Sequence, residues 1–244
     1  VNELVLLFSV SNVLNTLNCR LRNADCEMLI ADVNRSKLKR MEIVIENTAE
    51  KDFFQTENLT REAFWNVYRP GCAEHLILHN LRKSRCFVAL LDRVAVMDGK
   101  LVGHIISTKA RVVDEAGFEH EVLCVGPLSV LPEYQKMGIG SQLMASSIEI
   151  AGKLDFLGMI LFGNPDYYYR FGFSNAQKYG ITTKDGQNFE PFMALELTEH
   201  SLENVKGKFF EDQAFTTREE ELSKFEMYFP RKEKGEPKVD ISHI

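Results

Sequence analysis

The sequence predicts an α+β domain, a long antiparallel meander with helices added before and after it. Two extended apolar runs, Phe87 to Met97 and Leu101 to Val113, flank Asp98-Gly99, a pair that accepts the positive φ angles of a tight hairpin. A third strand runs from His120 to Val130. On either side of the meander, apolar residues recur at helical rather than alternating intervals.

Residues 1–40 end in a basic cluster (Arg35, Lys37, Lys39, Arg40), and Met41 opens the short strand pattern MEIVIEN. Met41 is one candidate start, with residues 1–40 as an upstream extension; the other reading is a genuine N-terminal helix. Thr48 is placed to cap a helix carrying Phe53, Phe54, Leu59, Ala63 and Phe64, which Pro70 and Gly71 end. A second helix spans Ala73 to Leu81. After the meander, Gly138 to Gly152 is helical, with Ile139, Leu143, Ile148 and Ala151 apolar. A short strand, Gly158 to Phe162, precedes one helical turn from Pro165 to Arg170. Phe189 to Leu197 reads as the last strand. The charged tail holds a helix with Leu222, Phe225 and Phe229 on one face, and its Lys/Glu/Pro-rich end reads as mobile. The expected units are thus residues 1–40, 41–197 and 198–244.

The bulk numbers exclude some functions. A net charge of -6 across 244 residues leaves no positive footprint for a nucleic-acid backbone. The acidic balance suits a cationic substrate or simple solubility equally. The five cysteines are scattered without a CxxC pair, so a zinc or redox motif has no support. No apolar run reaches the length of a membrane span. The opening run from Leu4 to Val10 follows Glu3, where a signal peptide carries positive charge, and a cytoplasmic protein is expected.

The chemistry concentrates in GPLSVLPEYQKMGIGSQLM, Gly126 to Met144. This stretch is strand, then a loop with Gly138 and Gly140, then helix. Side-chain-free glycines let backbone N–H groups crowd an anion at the positive end of the helix dipole. The pattern is neither a GxxxxGK[ST] loop nor a GxGxxG fingerprint. Plain turn chemistry is the alternative reading of two such glycines.

Gln135 to Gly140 resembles the Q/R-x-x-G-x-G/A signature of the GNAT acetyltransferase superfamily. About thirty residues on, YYRFGF (Tyr168 to Phe173) resembles its Y-x-x-x-G-F element. The likeness covers roughly Met41 to Leu197 and looks most like a bacterial branch of mostly uncharacterised acetyltransferases. It implies a mixed, mostly antiparallel sheet flanked by helices and splayed between the fourth and fifth strands. Backbone groups of Leu128, Ser129 and Val130 would pair with the pantetheine arm of acetyl-CoA. Those of Gln135, Lys136, Met137, Gly138, Ile139, Gly140 and Ser141 would hold its pyrophosphate. Tyr168 matches the tyrosine that protonates the departing thiolate; a buried core tyrosine is its alternative, and Tyr167 and Tyr169 flank it. Asn164 stands four residues before Tyr168 instead of the usual seven, as a further cofactor contact. Some members place a glutamate base where this chain has Cys124, a poor base for an ammonium; His104, His120 and Glu121 are nearby in sequence, and no base is assigned.

The resemblance implies direct acetyl transfer from acetyl-CoA to a primary amine of a small molecule or peptide, without a metal or covalent enzyme intermediate. No nucleic acid or membrane is expected as a partner, and a homodimer is left open. The alternative is a non-catalytic acyl-CoA-binding sensor or partner-binding module.

Overall fold

The computed structural model describes residues 42–239. The proposed extension, residues 1–40, lies outside them. Strand β1 (Ile43–Asn47) leads to helix α1 (Phe53–Phe64) and α2 (Glu74–Lys83). The meander follows as β2 (Phe87–Met97), β3 (Lys100–Val113) and β4 (Glu119–Val130). Helix α3 (Ile139–Lys153), β5 (Gly158–Phe162) and the single turn α4 (Pro165–Tyr168) come next. The chain closes with β6 (Ser174–Asn175), β7 (Ile181–Thr183), β8 (Phe192–Glu196), β9 (Gly207–Phe210) and α5 (Glu219–Glu226). The sheet order is β1-β2-β3-β4-β5-β8-β6, with β9 joined to both β3 and β7. Among the described residues, no helix is long and apolar enough to cross a membrane.

The Asp98-Gly99 turn forms as expected, with φ of 49° and 76° between the paired ends Met97 and Lys100. Alternation along β3 sorts the helices onto two faces. Ile105 packs in one core with Ile139, Leu143 and Met144 of α3. Its neighbour Ile106 packs with Leu78 and Leu81 of α2 on the opposite face. Thr48 does not cap α1. Its N–H is still engaged with the Asp92 carbonyl of β2, so the chain turns only afterwards, through a 3-10 turn at Glu50–Asp52.

Two short strands and β9 were not legible as strands. Gly207 to Phe210 has four residues and no alternation of its own; its pairing comes from neighbours on both sides. The tail is also tied down. Leu222 and Phe225 of α5 bury against Ala73 and Leu76 at the start of α2, and Phe229 joins them from beyond the end of α5, which is shorter than the helical spacing predicts. Its Lys/Glu/Pro-rich end, read as mobile, is held instead. Trp65 Nε1 donates to the Glu233 carbonyl at 2.9 Å, and the N–H groups of Lys238 and Val239 donate to the carbonyls of Asn66 and Val67.

One ion pair locks this tail to α1. Arg61 is 2% exposed, and its Nη2 lies 2.8 Å from Glu226 of α5. Removing one partner of a buried pair strands a charge, at a cost of about 3–5 kcal/mol. Glu226→Ala is therefore expected to lower the thermal midpoint by several degrees, while Lys224→Ala, at an exposed i,i+4 pair, changes it little. Thermal melts monitored by circular dichroism check this.

Candidate functional site

Strands β4 and β5 run parallel but pair only at Leu123↔Met159 and Cys124↔Ile160. Beyond Cys124 they part, since β5 is held along its whole length by β8. A bulge marks the departure. Between Ile105↔Leu128 and Ser107↔Val125, β3 has one residue (Ile106) and β4 has two (Gly126, Pro127). A slot therefore opens beside the last third of β4.

Backbone direction decides what lines this slot. The Leu131 N–H donates to the Val102 carbonyl of β3 at 3.0 Å. Direction alternates along an antiparallel strand, so Val130 and Leu128 turn their N–H and C=O groups away from β3, into the slot. Gln135 Nε2 caps the Val130 carbonyl at 3.1 Å. Ser129, whose backbone was expected to pair with the cofactor too, turns those groups toward β3 instead, and its hydroxyl donates to Thr60 of α1 at 3.0 Å.

The start of α3 stands at the mouth. Gly138 is its N-cap, at φ 83° and ψ 0°, and no side chain caps the helix there. The first backbone bond of the helix comes from Gln142 to the Gly138 carbonyl. The N–H groups of Ile139, Gly140 and Ser141 therefore precede the ladder, at the positive end of the dipole. Space around Gly138 is open, so its backbone conformation is the requirement there. Lys136 also adopts positive φ, at 65°, which aims the loop toward the helix start. Gly140 serves differently, because an added Cβ would meet the Tyr167 hydroxyl at 2.7 Å. This uncapped, crowded helix start fits the pyrophosphate of a CoA thioester.

The tyrosine turn closes the other side. Asn164 Oδ1 accepts the Asp166 N–H at 3.0 Å and so caps α4, spending the oxygen that the resemblance offers to a cofactor. Tyr167 stacks edge-on against Tyr168 at 5.0 Å and reaches Ser141 at the start of α3. Tyr168 packs against Phe173 at 5.7 Å, and burial pushes its phenol pKa above the usual range. The hydroxyls of Tyr167 and Tyr68 act on it electrostatically. Tyr68 comes from the loop between α1 and α2, on the opposite face. Tyr168 packs on the core that includes Ile139, Leu143 and Met144 of α3, whereas Tyr169 is 50% exposed. Sequence reading missed Tyr68, which carries no motif and arrives through tertiary packing alone. Cys124 is fully packed against Ile160 and Ala194, and burial holds its thiol pKa well above the ordinary value.

A sheet split beside its fourth strand, with a glycine-bearing loop leading into an uncapped helix, is the architecture of the GNAT class. Residues 47–173 match the model of the acetyltransferase (GNAT) family, and the chain belongs to that family. It is 36% identical over 83 residues to the uncharacterized N-acetyltransferase YjhQ of Escherichia coli strain K12, covering 34% of this chain and 45% of that protein. The match thus spans less than half of that relative. The uncharacterized N-acetyltransferase YhbS of the same strain is 25% identical over 136 residues, 55% of this chain and 78% of YhbS. The solved structure of E. coli YhbS in complex with CoA shares the fold, with a TM-score of 0.64 and 22% identity over 72% of this chain and 92% of that one. A GNAT family acetyltransferase from Brucella melitensis in complex with acetyl-CoA gives a TM-score of 0.59 and 25% identity, covering 72% of this chain and all of that one (100%).

Proposed function

We propose that the chain transfers an acetyl group from acetyl-CoA directly to a primary amine. The observation that carries this reading is the slot itself, where the backbone groups that Leu128 and Val130 turn away from β3 meet the uncapped start of α3, the Val130 carbonyl being held by Gln135. Leu128 and Val130 hold the pantetheine arm as an added strand would be held. The N–H groups from Gln135 to Ser141 bind the pyrophosphate. An N–H at the β4 bulge polarises the acetyl carbonyl. The phenol of Tyr168, neutral at pH 7 like any tyrosine and moved further from ionising by burial, protonates the thiolate as it leaves. That two relatives were solved with CoA and acetyl-CoA supports the choice of donor.

The test has two arms. Calorimetric titration with acetyl-CoA is expected to show one site per chain, and a panel of primary amines is expected to produce steady release of free CoA. Binding without release under every acceptor would instead favour a sensor.

Cys124→Ala is expected to keep most of the activity and to cost about 1 kcal/mol of stability, the scale of removing a small buried group. A buried thiol with a raised pKa is neither a base nor a nucleophile at neutral pH. Intact-mass measurement after mixing with acetyl-CoA alone checks this: a stable acetyl adduct that vanishes in Cys124→Ala would overturn direct transfer.

A further inference from the structure

The face of the slot opposite α3 carries an aromatic floor and one carboxylate. Strand β9 pairs antiparallel with β3 (Val112↔Phe209, Arg111↔Phe210) and parallel with β7. Those pairings curl the sheet over the β4-β5-β8 side. As a result, the Phe209 ring lies 5.8 Å from Phe192 of β8 and 6.3 Å from Phe162 of β5. Phe162 is the residue of β5 two past Ile160, the last to pair with β4, and so shares Ile160's face where the slot opens. It stacks on Phe192 at 5.0 Å and on Phe189 at 5.9 Å, yet is 46% exposed.

Glu211 follows directly. Phe209 points into the curled core, and Phe210 points the other way, beneath the Arg111 guanidinium at 5.5 Å. Extending the β9 alternation one residue past its end turns the exposed Glu211 toward the face of Phe209. The Glu211 carboxylate is close enough to act electrostatically on the Cys124 thiol of β4, and Lys184 acts on Glu211 from the end of β7. Its neighbour Asp212 is occupied, accepting from the Ser84 hydroxyl and the Ala214 N–H. Among the described residues, Glu211 has no hydrogen-bond or ion-pair partner of its own.

We infer that Glu211 and the Phe162 floor form the acceptor site for a primary ammonium carried on an apolar body, with Glu211 taking the ammonium's proton. The assignment rests on the amine-acetylation reading above. Aromatic faces attract a cation and bury its apolar part, while the carboxylate fixes its head. Glu211 removes one proton from R–NH₃⁺ and later gives it to solvent. The freed amine forms the C–N bond as the C–S bond breaks. The leaving sulfur receives a proton from Tyr168, which is restored by the second proton shed from the amide nitrogen. Desolvation raises the Glu211 carboxyl above its usual range against the pull of Lys184, which makes it a stronger base.

The test uses the full chain, acetyl-CoA and 2-phenylethylamine. Glu211→Gln is expected to lower kcat/KM for the amine by about 10²–10³-fold at pH 7. Calorimetric affinity for acetyl-CoA is expected to stay unchanged. The deficit is expected to shrink about tenfold per pH unit as solution supplies free amine, a rescue that a merely structural role would not show. Glu74→Gln is the control, since that carboxylate already accepts the Ala73 N–H at the start of α2. Equal kcat/KM in Glu211→Gln and the parent, a loss that ignores pH, or the same rescue appearing in Glu74→Gln instead would each overturn the assignment and leave amine acetylation standing. A parent enzyme that acetylates polyamines but not 2-phenylethylamine would overturn the acceptor class. A parent that binds acetyl-CoA but acetylates no amine would overturn the function itself.

Discussion

Replacing Tyr168 by phenylalanine is expected to lower kcat by about 10²–10⁴-fold, the usual worth of a positioned general acid, with acetyl-CoA affinity nearly unchanged. The substitution removes only a hydroxyl, and the ring keeps its contacts with Tyr167 and Phe173. Steady-state CoA release and calorimetry on the same preparation separate the two effects. Tyr167→Phe is the informative companion, because Tyr167 reaches Gly140 and Ser141. Its loss should raise the dissociation constant for acetyl-CoA more than it lowers kcat. Tyr169→Phe, at a half-exposed site, should do neither. If the kcat loss fell on Tyr167 and spared Tyr168, the proton donor would be the residue facing the cradle.

Gly140→Val is expected to weaken acetyl-CoA binding by at least about tenfold, and by up to roughly a hundredfold. Hydrogen bonds to a charged group are worth about 1.5–3 kcal/mol each, and a branched side chain at this position disturbs at least one. It also drives into the Tyr167 hydroxyl, 2.7 Å from the added Cβ. Gly138→Val acts by another route. Nothing crowds its Cβ, but φ of 83° is strained for a branched residue, at about 1–2 kcal/mol. It should therefore lower the thermal midpoint by a few degrees as well as weaken binding. Calorimetry paired with thermal melts distinguishes the two causes. Unchanged affinity in both variants would place the cofactor elsewhere.

Local signals carried most of the first half of the fold. The extended apolar runs of β2, β3 and β4, the Asp98-Gly99 turn and the helical spacing of α3 are each set by residues within a few positions of one another. For that reason they were legible in sequence. The cradle was legible on the same ground, because a helix start and its preceding glycines form one continuous segment. The family resemblance then ordered Tyr168 behind it.

What the sequence by itself determined, then, is the meander, the helix that follows it and the glycine-bearing, uncapped helix start at their junction. Tertiary structure decided which tyrosine faces which partner, since Tyr167, Tyr168 and Tyr169 are chemically alike and differ only in what packs around them. It also decided that the tail belongs to the domain. Gly207 to Phe210 becomes a strand because β3 and β7 offer it free edges, and Arg61 and Glu226, 165 residues apart, pair only when α1 and α5 dock. The placement inferred for Glu211 has the same origin. Its position depends on the curl that β9 imposes on the sheet, a long-range pairing with no local periodicity to announce it.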